Sequence, residues 1–442
     1  MNRKSFVHHA LGTIGTGVLA NILPNSVFAT GTEASEEQKS FFLKNVKLET
    51  GFVKDDLEVT ATQTALFNIQ IENGVFKKIS KQGGTDKAID AKENLMLPST
   101  KDMHIHLDKT YYGGPWKAKS LRQKSVKDMI ALEQKILPEM LKTSTYRAEK
   151  LIELLQSKGS DFARSHVNIE PTSQLQSLKN LQIAIENKKS SFGVEIVAFP
   201  QHGVYYTKSD QLLKEAAQMD IDFIGGVDPF SIDGSIERTI DFTVQTALDY
   251  NKGIDIHLHE MGPSGVETIK YLIAKVNENP ALMGKTFISH CFALSTLQGD
   301  DLTAIIEKLA NAKIGVVSTI PIGKIYMPIP QLIKAGVNVM TGTDCVIDHW
   351  QPFGTGSMIQ KANRMAEMYG KSDEYSLSRC LKIATRGLTP LDDDGKMQWP
   401  KVGDKADFIL LSAASSAEVV ARNTPVNALF RGGKKVYQAQ QA

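Results

Sequence analysis

From Phe41 to about Leu97 apolar and polar residues alternate in short runs, the period of half-buried strands. Within this stretch Ile69-Gln70-Ile71-Glu72-Asn73-Gly74-Val75-Phe76 predicts a hairpin turned at Asn73-Gly74. The same texture returns near the other terminus. Asp407-Phe408-Ile409-Leu410-Leu411 predicts a strand, and Asn427-Ala428-Leu429-Phe430 and Lys435-Val436-Tyr437 predict a second hairpin joined through Arg431-Gly432-Gly433-Lys434. Between these ends, short apolar strands alternate with longer stretches of helical period. The strands end near His106, Ile169, Gln201, Asp228, Glu260, His290, Ile320 and Asp344. After a first gap long enough for an extra helix, the steps are roughly thirty residues, the size of one strand-helix-strand unit.

Eight such units predict an α/β fold: a (β/α)8 TIM-like barrel over residues 99–396, with a small β-sandwich domain built from both termini, residues 30–98 and 397–442. An open doubly wound sheet would place a glycine-rich phosphate-binding turn after its first strand, where this chain has Lys101-Asp102-Met103-His104-Ile105-His106.

Composition narrows the partners. The chain has 442 residues, 42% of them hydrophobic, with a formal net charge of +2 and no nucleic-acid-reading motif. Nucleic acid is therefore a poor partner, and a small uncharged or mildly charged substrate a better one. Residues 1–29 read as a signal peptide: a basic start at Asn2-Arg3-Lys4, a weakly apolar run from Leu11 to Leu23, and Val27-Phe28-Ala29 as a small-residue cleavage site. Arg3-Lys4-Ser5-Phe6 resembles a twin-arginine signal with lysine at its second basic position. The expectation is an exported, periplasmic protein with no stable membrane span after cleavage; a homo-oligomer is left open. Three cysteines, Cys291, Cys345 and Cys380, offer no disulfide framework, so stability must come from packing.

Of ten histidines, His8 and His9 fall in the leader, and most of the rest fall at or just after strand ends, with His166 opening the second strand. Barrel enzymes carry their chemistry at that mouth. Residues two apart on a strand share a face, so His104 and His106 can reach one metal. Alone, such a pair is ambiguous. The fifth strand adds His257-Leu258-His259-Glu260, the sixth Ser289-His290 and the eighth Thr343-Asp344.

These residues resemble the amidohydrolase superfamily, in the branch of cytosine deaminases and N-isopropylammelide amidohydrolases. The resemblance spans most of the chain after the leader, through His104-Ile105-His106-Leu107-Asp108-Lys109, Ser165-His166-Val167, Val197-Ala198-Phe199-Pro200-Gln201, Gly225-Gly226-Val227-Asp228-Pro229, His257-Leu258-His259-Glu260, Ser289-His290 and Asp344 followed by Asp348-His349-Trp350-Gln351-Pro352-Phe353-Gly354. It implies one divalent metal ion, zinc or iron, held by His104, His106, His257 and Asp344, and a metal-activated water that attacks a carbon-nitrogen bond. It also implies catalytic roles for Asp344 as proton acceptor, His290 beside the water, and Glu260 or His259 as proton shuttle. Lys109, Gln201, Asp228 and Trp350 are implied to contact substrate. Cys345 stands where cytosine deaminases carry a second aspartate, so cytosine itself is not implied. The fourth strand, ending Gly226-Val227-Asp228, lacks the lysine of a two-metal site.

The function expected is deamination of a pyrimidine- or triazine-like ring, a small cyclic nitrogen-containing substrate. Cyclic amide ring opening and a non-catalytic exported metal- or ligand-binding barrel are the alternatives. A binder needs no proton shuttle beside a water-activating centre, which argues against the last.

Overall fold

Eight parallel strands run in unbroken chain order around one sheet: Thr100–Ile105, Ser160–Asn168, Gly193–Phe199, Phe223–Val227, Gly253–His257, Thr286–Ser289, Gly315–Ser318 and Val339–Thr341. Their ends lie within three residues of the expected positions. The structure is a computed structural model that describes residues 40–82, 87–122 and 125–440; the expected leader at 1–29 lies outside them.

The sheet closes into a barrel where the eighth strand meets the first. Asp344 N donates to His104 O at 2.7 Å and His106 N to Asp344 O at 3.1 Å, a parallel bridge pairing Ile105 with Asp344. Glycine permits the approach: a Cβ on Gly342 would lie 2.4 Å from both the N and the O of His104. Helices coat the outside and bury apolar stripes. The helix Ile236–Asp249, capped by Ser235, turns Ile236, Ile240, Val244 and Ala247 inward at helical spacing. Inside the barrel, Met103, Val197, Phe223, Phe287, Val317 and Met340 form a separate apolar plug.

The second strand departs from the reading of the sequence. It begins at Ser160, so His166 lies toward its end rather than opening it. Asp161 and Arg164, which broke the apolar pattern, are strand residues whose charges are matched within the barrel: Asp161 accepts from Lys101, and Arg164 pairs with Asp255 and Glu195.

Strands from both termini build a second sheet. In spatial order it runs Lys434–Gln438, Val426–Arg431, Phe408–Leu411, Leu95–Pro98, Ser40–Lys54, Val59–Glu72 and Val75–Ser80. Both hairpin turns fall where the sequence put them. Asn73 and Gly74 adopt φ of 50° and 79°, and Gly432 and Gly433 φ of 53° and 73°, the left-handed pair that a two-residue turn requires. The sheet folds over until its two ends face each other. Phe76 lies 5.8 Å from Phe408, Phe41 stacks 6.1 Å from Phe430, and Leu43, Ile69, Ile71 and Trp399 fill the space between.

Candidate active site

The mouth of the barrel gathers residues that lie far apart along the chain. His104 and His106 project from the first strand, His257 from the fifth, and Asp344 from the closing bridge. One ligand atom from each lies within 4.8 Å of every other. His104 Nε2 and His106 Nε2 each sit 3.4 Å from Asp344 Oδ1, and His257 Nε2 sits 3.4 Å from His106 Nε2.

This donor set fits a divalent cation. His106 Nδ1 lies 3.0 Å from the His166 carbonyl, which can only accept, so the proton of the neutral ring sits on Nδ1 and Nε2 is left bare. His104 Nε2 is buried with no hydrogen-bond partner. Burial, reinforced by Lys109, pushes His106 down to about 4. Burial among neighbouring imidazoles holds His257 and His290 well below the ordinary histidine range. Burial disfavours the Asp344 anion, but His104 and His106 outweigh it and hold its carboxyl well below the usual range. The result is buried imidazole nitrogens around one carboxylate.

Around this cluster, His290 places its ring 4.7 Å from His104 and 4.2 Å from His259, with neither nitrogen partnered. His290, Asp344 and Asp228 each hold a left-handed backbone, with φ of 66°, 66° and 36°, a costly conformation for residues with a Cβ that concentrates at functional sites. Glu260 Oε1 accepts from Ser231 N at 2.7 Å while Oε2 is buried without a partner, and burial raises its pKa. Asp228 sits behind the neighbouring pair. Its carboxylate accepts from His259 N at 2.6 Å and Glu260 N at 3.1 Å, and its second oxygen lies 2.9 Å from His259 Nδ1. Burial disfavours the His259 cation, but Asp228 outweighs it and raises the imidazole's pKa.

On the opposite wall, Lys109 Nζ donates to Gln201 Oε1 and, at 3.3 Å, to Asn168 Oδ1, and lies 5.8 Å from the Trp350 ring. Sequence reasoning missed the group that binds this wall together. Glu133, from the inserted helix Val126–Leu141, is fully buried. Its carboxylate accepts from Asn168 Nδ2 and from Trp350 Nε1 at 3.1 Å. It also lies 3.1 Å from His349 Nε2, 3.7 Å from His202 Nε2 and 3.8 Å from Lys109 Nζ. Burial disfavours the Glu133 anion, but Lys109 and His349 outweigh it and keep the carboxyl well below its usual range. The available signal was an acidic residue on an apolar stripe, since Met129, Ile130 and Leu137 are the other large residues the helix buries.

A barrel with metal-capable imidazoles and a carboxylate at its mouth defines a class of hydrolase, and the comparisons name it. Residues 157–437 match the amidohydrolase family, and the chain belongs to that family. It is 47% identical over 404 residues to the uncharacterized protein YahJ of Escherichia coli (strain K12), covering 90% of this chain and 87% of that one. It is 27% identical over 349 residues to the N-isopropylammelide isopropyl amidohydrolase of Pseudomonas sp. (strain ADP), covering 77% and 86%. Among solved structures, N-isopropylammelide isopropylaminohydrolase from Burkholderia multivorans superposes with a TM-score of 0.77 at 25% identity, covering 90% of this chain and 98% of that one. The 5-methylcytosine deaminase from Klebsiella pneumoniae shares the fold, with a TM-score of 0.75 at 23% identity over 91% and 98%.

Proposed function

We propose that this chain is a metal-dependent aminohydrolase that removes an exocyclic amine or alkylamine from a pyrimidine- or triazine-like ring. The observation that carries the reading is the convergence of His104, His106, His257 and Asp344 within 4.8 Å of one another. A divalent ion there, zinc or iron, would supply Lewis-acid activation of water.

The chain's own residues do the rest. Asp344, held ionised, takes a proton from the attacking water, whose oxygen bonds to the ring carbon. His290, a neutral imidazole, presents an N–H to the oxygen on which charge develops. The carbon-nitrogen bond then breaks, and the departing nitrogen needs a proton because an amide anion is too poor a leaving group. Glu260 is the proposed donor, since one of its oxygens is unpartnered and burial raises its pKa, which favours the protonated carboxyl. His259, held by Asp228, faces the same space and contacts the substrate. Gln201, Lys109 and Trp350 form the wall against which the ring lies, while Asp228 acts through His259. The relative that acts on N-isopropylammelide, matched over 86% of its length, supports a triazine-like ring.

Purified, metal-loaded protein assayed against aminopyrimidines, aminotriazines, creatinine-like rings and hydantoins, with detection of ammonia and alkylamine, tests the proposal. Release of either from a ring supports it. Hydrolysis of hydantoin alone, with no amine released, replaces it by ring opening. The metal assignment has its own check, because His104→Ala with His106→Ala should abolish bound metal by elemental analysis. We further propose export to the periplasm, on the strength of the basic start and the Val27-Phe28-Ala29 cleavage site. Mass spectrometry of the mature N-terminus tests this, and an intact Met1 would count against it.

A further inference from the structure

Below the converging ligands, a chain of polar side chains leads down into the barrel. Ser289 Oγ donates to Asp255 Oδ1 at 2.6 Å and lies 2.8 Å from His104 Nδ1. A serine hydroxyl has one proton. With that proton on the bond to Asp255, the oxygen turns a lone pair toward His104, so Nδ1 must be the donor. The far side of Asp255 is equally fixed: Oδ2 accepts from Arg164 Nη1 at 2.9 Å and lies 3.9 Å from His166 Nε2. Arg164 in turn donates through Nε to Glu195 at 2.9 Å, and its guanidinium is sandwiched between the rings of Phe223 and Phe287, 4.1 and 4.2 Å away. A guanidinium has no acceptor, so the polarity of the whole chain can run in one direction only.

We propose that Asp255 and Ser289 are positioning residues that lock His104 in the tautomer protonated at Nδ1, with Arg164 fixing the carboxylate that gives the chain its direction. The bare nitrogen is then Nε2, which is the buried, unpartnered atom 3.4 Å from Asp344. His106 reaches the same state through a backbone carbonyl, which no side-chain substitution removes. His104 depends on side chains, so its tautomer can be rewritten. In Asp255→Asn, Arg164 still demands an oxygen on its side, which turns the new amide's N–H₂ toward Ser289. The hydroxyl must then donate to His104 Nδ1 instead, moving the ring proton to Nε2, where it blocks a ligand.

The inference rests on the metal reading of the site, but its first test does not need metal. Nitrogen-15 spectra of the histidines in the full-length, metal-free protein, at a pH above the histidine range, should show His104 protonated at Nδ1. The Asp255→Asn variant should show the proton at Nε2. A wild-type His104 with Nδ1 bare, or a tautomer unmoved by Asp255→Asn, overturns the proposal. Zinc affinity, measured by chelator competition, should fall roughly 10–100-fold in Ser289→Ala and Asp255→Asn and stay within about threefold of wild type in the hydroxyl-preserving Ser289→Thr. Unchanged affinity in both of the first two variants also overturns it. If the wild type takes up neither zinc nor ferrous iron, the metal reading fails by itself, and the spectra decide the tautomer. Should Ser289→Ala fail to fold, as judged by thermal melting of the metal-free protein, Asp255→Asn and Ser289→Thr carry the test.

Discussion

Glu260 and Glu133 are both buried carboxylates at the mouth, and their surroundings give them opposite work. Glu260 has one satisfied oxygen and one unpartnered, with a pKa raised by burial, and is suited to carry a proton. Glu260→Gln should keep metal by elemental analysis while turnover of whichever ring is accepted drops by about 10²–10⁴. An undiminished rate would pass the shuttle to His259. Glu133 is ionised and enclosed by Lys109, Asn168, His202, His349 and Trp350, which suits it to hold a wall in place. Glu133→Ala would leave Lys109 without its carboxylate in the interior, a loss of about 3–5 kcal/mol in urea unfolding. At this scale the sequence was informative about which side chains gather at the mouth and poor about the ones that hold them in place. His104, His106, His257 and Asp344 announce themselves because imidazoles at strand ends have few other reasons to be there. Glu133 and Asp255 did not, and Ser289 stood out only as the neighbour of His290, because a single carboxylate or hydroxyl in a helix or strand reads the same whether it faces solvent or a buried network.

Among the elements, the barrel strands were legible because parallel strands covered on both faces are short and apolar. The exception was the second strand, whose first half carries the charged Asp161 and Arg164, so polarity masked its start. The terminal hairpins were legible from their turns. How the sheet folds over on itself was not, since the stacking of Phe41 on Phe430 joins residues that no local pattern links. The inserted helix begins with a capping box in which Ser125 Oγ accepts from Asp128 N at 3.1 Å and Asp128 Oδ2 from Ser125 N at 3.0 Å. This helix brings Glu133 to the wall. Ser125→Ala should cost about 1 kcal/mol in chemical denaturation without altering metal content. The seam is less forgiving. Gly342→Ala puts a Cβ 2.4 Å from the His104 backbone, and should lower stability by at least about 2 kcal/mol and bound metal together. Metal content retained at full stoichiometry would show that the seam can relax without moving the ligands.

For the molecule as a whole, the wall network makes stability depend on pH. His202 lies 3.4 Å from Glu170 Oε2 and 3.7 Å from Glu133 Oε2; burial disfavours its cation, but the two carboxylates outweigh it and raise its pKa to about 9. The folded state therefore binds this proton more tightly than the unfolded state does. The contribution, on the order of 3 kcal/mol, is fully present below about pH 6.5 and is lost as pH rises through about 9. Urea midpoints measured across that range should fall in the wild type and fall less in His202→Gln; equal slopes would remove His202 from the account.

The join at Gly342 also bears on how the molecule comes into being. Its first and last staves supply His104 and Asp344, so a chain still leaving the ribosome holds only a fraction of the donor set until nearly four-fifths of it has been made. A product that stops short of Asp344 would lack one of the four donors and the bridge that closes the sheet. The four donors come together only when the cylinder shuts.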